Sequence, residues 1–283
     1  VTSSDEVRRA AEPLAAEPSR TTLLFDFDGT LAPIVVDPAA AAPAPGVVGL
    51  LAALADRYRR VGIVSGRPIA FLAPLVPATV ELWGQYGLEH RGVAGRPGGS
   101  VDLGADTADR WAPVVRRAVD ALTGLPAGVE VEAKGGSLTV HHRQAPAAAD
   151  AVAARVRAVA ADCGLRIHAA KASIELRPPI DVDKGSVVEA AVADSVAALF
   201  VGDDVGDLPA LRAIAAHRAG GAGRVGVAAV VEGPELPAEV RAAADLVLDG
   251  TDAVVHLLRT LAEAPALGEL VSSDAARDHR ERG

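Results

Sequence analysis

Asp26 and Asp28 stand one residue apart at the end of the apolar run Thr22-Leu23-Leu24-Phe25, with Gly29-Thr30 directly after them. Such a run reads as a buried parallel strand. In an open α/β sheet, chemistry collects beyond the carboxyl ends of the strands, so both carboxylates are expected to project into a cleft. Two like charges this close repel each other. A hard divalent cation such as Mg2+, which takes oxygen ligands, relieves that repulsion. One carboxylate can then attack as a nucleophile while its neighbour shuttles a proton. A single Asp-Gly pair would read as an N-cap or an Asx turn; the doubled carboxylate after an apolar strand favours chemistry.

Three further stretches carry groups of related kinds. The apolar run Val61–Val64 ends in Ser65-Gly66-Arg67-Pro68, where a hydroxyl, a permissive glycine and a helix-starting proline can present donors to a phosphate. Asp183-Lys184-Gly185 opens a helix whose amides, with the lysine, form an anion site. The apolar run Ala198–Val201 ends in Gly202-Asp203-Asp204-Val205-Gly206-Asp207, again an acidic cluster suited to a hard cation.

The elements that must position these groups alternate strand and helix. Helices are expected over Asp5–Ala15 with Asp5 as cap, over Val47–Arg59 with Leu50, Leu51 and Leu54 on one face, and from Asp183 through Ala193. Val80–Trp83 and Val225–Val231 read as strands, Ala244–Leu248 as a short edge strand, and Thr251–Leu261 as a terminal helix capped by Thr251 or Asp252. Gly92–Gly104 is glycine-rich and reads as a hairpin or linker. Between lies a different pattern: helix Asp109–Leu122, strands Val129–Glu132 and Ser137–His142, helix Pro146–Cys163, strands Leu165–His168 and Ser173–Leu176. The alternation in Ser137-Leu138-Thr139-Val140-His141 suits a sheet covered on one face. Glu132 and Lys134 would share a strand face, as would Glu175 and Arg177, with Ser137, His141 and Arg143 nearby. A polar face with both charge signs fits a polyhydroxyl ligand, although cross-strand salt pairing gives the same pattern. The only lysines are Lys134, Lys171 and Lys184 in a chain that otherwise uses arginine, so two of the three lie in these stretches.

Composition narrows the function classes. The 283 residues allow one large domain or two modest ones, and 50% hydrophobic content supports a full core. At 3% aromatic, base stacking on single-stranded nucleic acid is not expected. A net charge of −9 opposes nucleic acid and anionic membranes, so an anionic substrate needs a local positive pocket. The single Cys163 permits no intrachain disulfide and reads as a small buried residue. No apolar stretch is long enough to span a bilayer, and the N-terminal residues lack an export pattern, so a cytoplasmic protein is expected.

The run Asp26-Phe27-Asp28-Gly29-Thr30-Leu31-Ala32-Pro33-Ile34, with Asp37-Pro38 after it, resembles motif I of the haloacid dehalogenase superfamily and, more narrowly, the trehalose-6-phosphate phosphatase family. Ser65-Gly66-Arg67, Lys184 and Gly202–Asp207 are similar to motifs II, III and IV, in order. The resemblance implies a doubly wound, Rossmann-like parallel-sheet core (residues 1–105 and 180–283) split by an inserted α+β cap (residues 106–179). It implies Mg2+ bound by Asp26, by Asp28 through its main-chain carbonyl, and by Asp203, with Asp204 and Asp207 in or near the coordination sphere. Asp26 would be the nucleophile, Asp28 the acid and base, and Lys184 the contact to phosphate and nucleophile. Thr30, Ser65, Gly66 and Arg67 would hold phosphate. Gly87, Glu132, Lys134, Ser137, His141, Arg143, Glu175 and Arg177 would hold the sugar. The implied reaction is hydrolysis of trehalose 6-phosphate by a monomer whose partner is a small sugar phosphate, with no nucleic acid and no membrane. Sucrose phosphate or glucosylglycerol phosphate, or a silent sugar-phosphate-binding domain, are the alternatives. Two departures stand out: Tyr86 replaces the histidine usual in the family loop Gly-x-His-Gly-x-Glu, and Leu208-Pro209 replaces an acidic tail.

Overall fold

The computed structural model describes residues 2–94, 107–170, 172–233 and 236–266. Two sheets organise them. The larger has seven strands in the order β11-β10-β9-β1-β2-β3-β4. These are β1 (Thr21–Phe25), β2 (Arg60–Val64), β3 (Glu81–Gly84), β4 (Glu89–Arg91), β9 (Ala197–Gly202), β10 (Val225–Val231) and β11 (Leu246–Leu248). All pair in parallel except β3 with β4. β1, β2 and β9 are buried along their whole length, as their apolar runs require.

Helices cover both faces. One core joins α1 (Ser4–Ala15), α2 (Val47–Arg57) and α9 (Gly250–Glu263) to the sheet through Leu14, Leu51, Leu54, Leu257 and Leu258. The other joins α6 (Lys184–Val192), α7 (Leu208–Ala219) and α8 (Ala238–Ala242) through Val187, Val188, Leu211, Ile214 and Val240. This is the doubly wound α/β arrangement that the strand–helix alternation predicts. α3 (Ile69–Leu72) is a single turn after Pro68.

The smaller sheet runs β5-β6-β8-β7 and is antiparallel: β5 (Glu130–Ala133), β6 (Leu138–His141), β7 (Arg166–Ala170) and β8 (Ser173–Arg177). α4 (Thr107–Ala121) and α5 (Ala149–Cys163) bury its Leu138, Val140, Ile174 and Leu176, with Cys163 in the same cluster. The register then sets Glu132, Thr139, Glu175 and His168 in one row across the opposite face. The α-β-β-α-β-β order is the predicted one.

Several details differ from the sequence expectations. α1 is capped by Ser3, whose hydroxyl and Glu6 form a capping box, rather than by Asp5, which lies in the first turn. α2 stops at Arg57, two residues early, because Tyr58 turns extended to feed β2. α9 starts at Gly250 after Asp249, and neither Thr251 nor Asp252 caps it. The expected boundary at residues 105/106, most of the Gly92–Gly104 stretch and Lys171 lie outside the described residues. Among the described residues, no helix is long and apolar enough to cross a membrane.

Candidate active site

β1 and β9 are neighbours, and the chain continues from β1 to β2 on one side and from β9 to β10 on the other. That is the switch point where a crevice opens beyond the strand ends. Asp26 sits there, buried, with its amide donating to the Val201 carbonyl of β9 at 2.8 Å. Gly29 takes φ +76°, and a Cβ on it would lie 2.0 Å from Asp203 Oδ2. Only glycine allows Asp203 to approach the turn after β1 so closely.

Lys184 opens α6, which Asp183 caps by accepting the Ser186 amide at 2.9 Å. The lysine is buried, not solvated. Its Nζ lies 2.8 Å from Asp26 Oδ1 and donates to Asp207 Oδ1 at 2.6 Å. Burial by itself would lower the Lys184 pKa, but Asp207 and Asp26 outweigh it and keep the ammonium charged. Burial raises Asp26, opposed by Lys184 and reinforced by Asp207 and Asp203. Asp207 is fully buried, and its Oδ2 accepts the amides of Asp203 and Asp204 at 2.9 and 3.2 Å. It therefore ties the β9 loop to Lys184.

Asp26, Asp203 and Asp207 each offer a carboxylate oxygen within 4.8 Å of the others. One ammonium faces three carboxylates, and the donors are all oxygen, so the set fits a hard divalent cation. Asp203 is pushed up to about 7 by burial and then by Asp207 and Asp204, against the lowering pull of Lys184. Asp204 is outside this trio but beside it: its Oδ1 accepts the Gly206 amide at 2.8 Å, and burial and the neighbouring Asp207 raise its carboxyl above the usual range. The Asp28 carboxylate also stands apart, held by Arg67 Nε and Nη2 at 2.8 Å each.

Around these groups, Ser65 is buried with its Oγ accepting the Arg67 amide at 3.2 Å. Thr30 Oγ1 is buried without a hydrogen-bond partner among the described residues, a spare donor beside Asp28. Arg67 is spread over the Phe71 ring at 4.4 Å and feels the charge of Glu132 in the second sheet.

Among the described residues, contacts between the second sheet and the core include a hydrogen bond and a cation–ring contact. Ser137 donates to Gln85 Oε1 at 2.9 Å, and the Arg177 guanidinium lies 3.6 Å from the Tyr86 ring centroid. Glu132 pairs with His141 at 2.9 Å and with Lys134 at 3.7 Å. Arg177 pairs with Glu175, as strand alternation predicts. Lys134 stands just past the end of β5. Arg143 is in the exposed turn after β6, and the structure gives it no ion-pair partner among the described residues. Gly87 takes φ +104° and packs on Val182 and Val187, so its requirement is backbone shape and close approach.

Sequence reasoning missed Gln85 and Thr139. Gln85 is buried and links Ser137 to Glu89. Thr139 is buried in the row between Glu132 and Glu175, with its hydroxyl unpartnered among the described residues. The alternation in β6 marks Thr139 as facing away from Leu138 and Val140; nothing local marks Gln85.

Residues 24–235 match the model of the trehalose-phosphatase family. The trehalose-phosphate phosphatase of Mycolicibacterium paratuberculosis is 35% identical over 206 residues, covering 68% of this chain and 51% of that protein. That of Mycobacterium marinum is 34% identical over 226 residues, covering 74% and 55%. The chain thus spans about half the length of the curated relatives it matches. The solved C-terminal domain of C. albicans trehalose-6-phosphate phosphatase is 25% identical, with a TM-score of 0.67 over 91% of this chain and 97% of that one.

Proposed function

The chain belongs to the trehalose-phosphatase family, and from that membership we propose that it hydrolyses trehalose 6-phosphate to trehalose and inorganic phosphate. The observation that carries the reading is Lys184 held between Asp26 and Asp207, with Asp203 alongside, at the switch point of the sheet. A nucleophile, a cation to steady it and a donor set for a metal meet within one crevice.

Asp26 attacks phosphorus, the bond from phosphorus to the sugar oxygen breaks, and an aspartyl phosphate forms. Asp28 gives its proton to the departing sugar oxygen. It then takes a proton from water as that water attacks phosphorus, and the bond to Asp26 breaks to release phosphate. Such proton transfer is worth about 10²–10⁴-fold. Lys184 holds Asp26 in place, and Thr30 and Ser65 offer hydroxyls to the phosphoryl oxygens. Mg2+ held by Asp26 and Asp203 would supply neutralisation of the phosphoryl charge. Residues 106–179 act as a cap that excludes water and reads the sugar through Glu132, Glu175 and Arg177. Support for this comes from the Thr139 hydroxyl, which has no partner among the described residues and lies between two glutamates, and from the contacts of Ser137 and Arg177 with the core.

The test is phosphate release from trehalose 6-phosphate beside sucrose 6-phosphate and glucose 6-phosphate, with Mg2+ and with chelator. Mg2+-dependent preference for the trehalose ester is the expected result. Preference for another ester would keep the Asp26 chemistry and discard the substrate. No turnover would reject the enzyme reading.

A further inference from the structure

Tyr86 occupies an unusual place. Its backbone is left-handed, φ 61° and ψ 23°, in the short turn after β3. Its amide donates to the Ser65 carbonyl at 2.9 Å, which fixes the turn against the loop after β2. The ring lies on Gly66: a Cβ there would stand 2.8 Å from Tyr86 Cζ and Oη. Its other neighbour is the Arg177 guanidinium, 3.6 Å from the ring centroid, and Arg177 in turn donates to Glu175. The charges of Glu175, Arg177, Lys184 and Asp204 also reach the Tyr86 side chain. The ring is thus a post between the phosphate-side loop and the end of β8. No hydrogen bond fixes the hydroxyl among the described residues, so the working surface is the π face.

We propose that Tyr86 is a positioning residue for sugar recognition: its ring, seated on Gly66, carries the Arg177 guanidinium and so fixes the Glu175–Arg177 pair at the sugar end of the phosphate crevice. This rests on the proposed sugar-phosphatase reading. Glu175 alone would be a buried carboxylate without a placed partner, and Arg177 alone a long side chain with many rotamers. Stacked and paired, both are pre-ordered to accept from and donate to sugar hydroxyls. A small aryl phosphate makes no use of them.

The test compares wild type, Tyr86→Leu, Tyr86→Phe, Arg177→Gln and the Tyr86→Leu/Arg177→Gln double variant on the sugar ester that the wild type favours and on a nitrophenyl phosphate. Tyr86→Leu should raise KM for the sugar ester about tenfold or more, with kcat and the aryl ester changed less than about threefold. Tyr86→Phe, which keeps the ring, should restore KM to within about twofold. The double variant should be no worse than Arg177→Gln, because Tyr86 acts through Arg177. Equal losses on both esters, failure of Phe to restore KM, or additive losses would each overturn the proposal. Wild-type preference is measured first and judges the functional reading separately. If no ester is turned over, amide exchange across 173–177 decides: faster in Tyr86→Leu but not in Tyr86→Phe supports the post, and no change refutes it.

Discussion

Arg67 grips Asp28 by both carboxylate oxygens, Nε to Oδ2 and Nη2 to Oδ1, each at 2.8 Å. The sequence expectation gave Arg67 to the phosphate; the structure aims it at the proposed acid and base. A planar fork on a carboxylate fixes its orientation. Arg67→Ala is expected to lower kcat on sugar esters by about 10–10²-fold through misplacement of Asp28. The loss should be smaller on a nitrophenyl ester, whose leaving group departs without a proton. Steady-state rates on both esters check this, and equal losses would return Arg67 to phosphate binding.

Asp26→Asn keeps the side-chain shape but removes the proposed nucleophile. Turnover should fall below detection while the circular dichroism spectrum stays that of wild type. Near-normal phosphate release would end the nucleophile assignment.

Asp207 is the buried partner of Lys184 and of two main-chain amides. Asp207→Ala leaves a buried ammonium short of one partner and two amides unsatisfied. A loss of roughly 3–5 kcal/mol in denaturant unfolding is expected, with a smaller loss for Asp207→Asn, which keeps the acceptor for Lys184.

Asp203 has a folded-state pKa of about 7 against 3.8 for the free side chain. The folded protein therefore binds its proton more tightly than the unfolded one does. For this group, stability is greatest below the lower value, falls as pH rises between the two, and levels off above about 7. In metal-free protein, Asp203→Asn should be more stable than wild type by ~1–2 kcal/mol at pH 8 and by little at pH 4. Mg2+ should raise the melting temperature of wild type at pH 8 and not that of the variant. A constant difference across pH would remove Asp203 as the titrating group.

Glu132 reaches His141 and Lys134 on the open face of the second sheet. Glu132→Ala should raise KM for the disaccharide phosphate by about tenfold or more and leave an aryl phosphate within about twofold. Its exposure means that folding should be unaffected. Parallel losses on both substrates would deny it a sugar-reading role.

Much of this molecule is written locally. The apolar runs ending at Phe25, Val64 and Val201 identify strands because burial on both faces demands them, and the polar residues that follow mark the strand ends where a site can open. The acidic pairs Asp26/Asp28 and Asp203/Asp207, the lone helix-starting Lys184 and the alternation in β6 and β8 were legible for the same reason: each is a short-range pattern of charge or hydropathy. What the sequence could not contain is direction in space. That Arg67 turns to Asp28, 39 residues away, and that Asp207 serves Lys184, 23 residues away, depend on side chains meeting between separate elements. Gln85 joining Ser137, and Tyr86 lying between Gly66 and Arg177, require the second sheet to be set against the core. Only tertiary packing decides those contacts, because Ser137 is 52 residues from Gln85 and Arg177 is 91 from Tyr86.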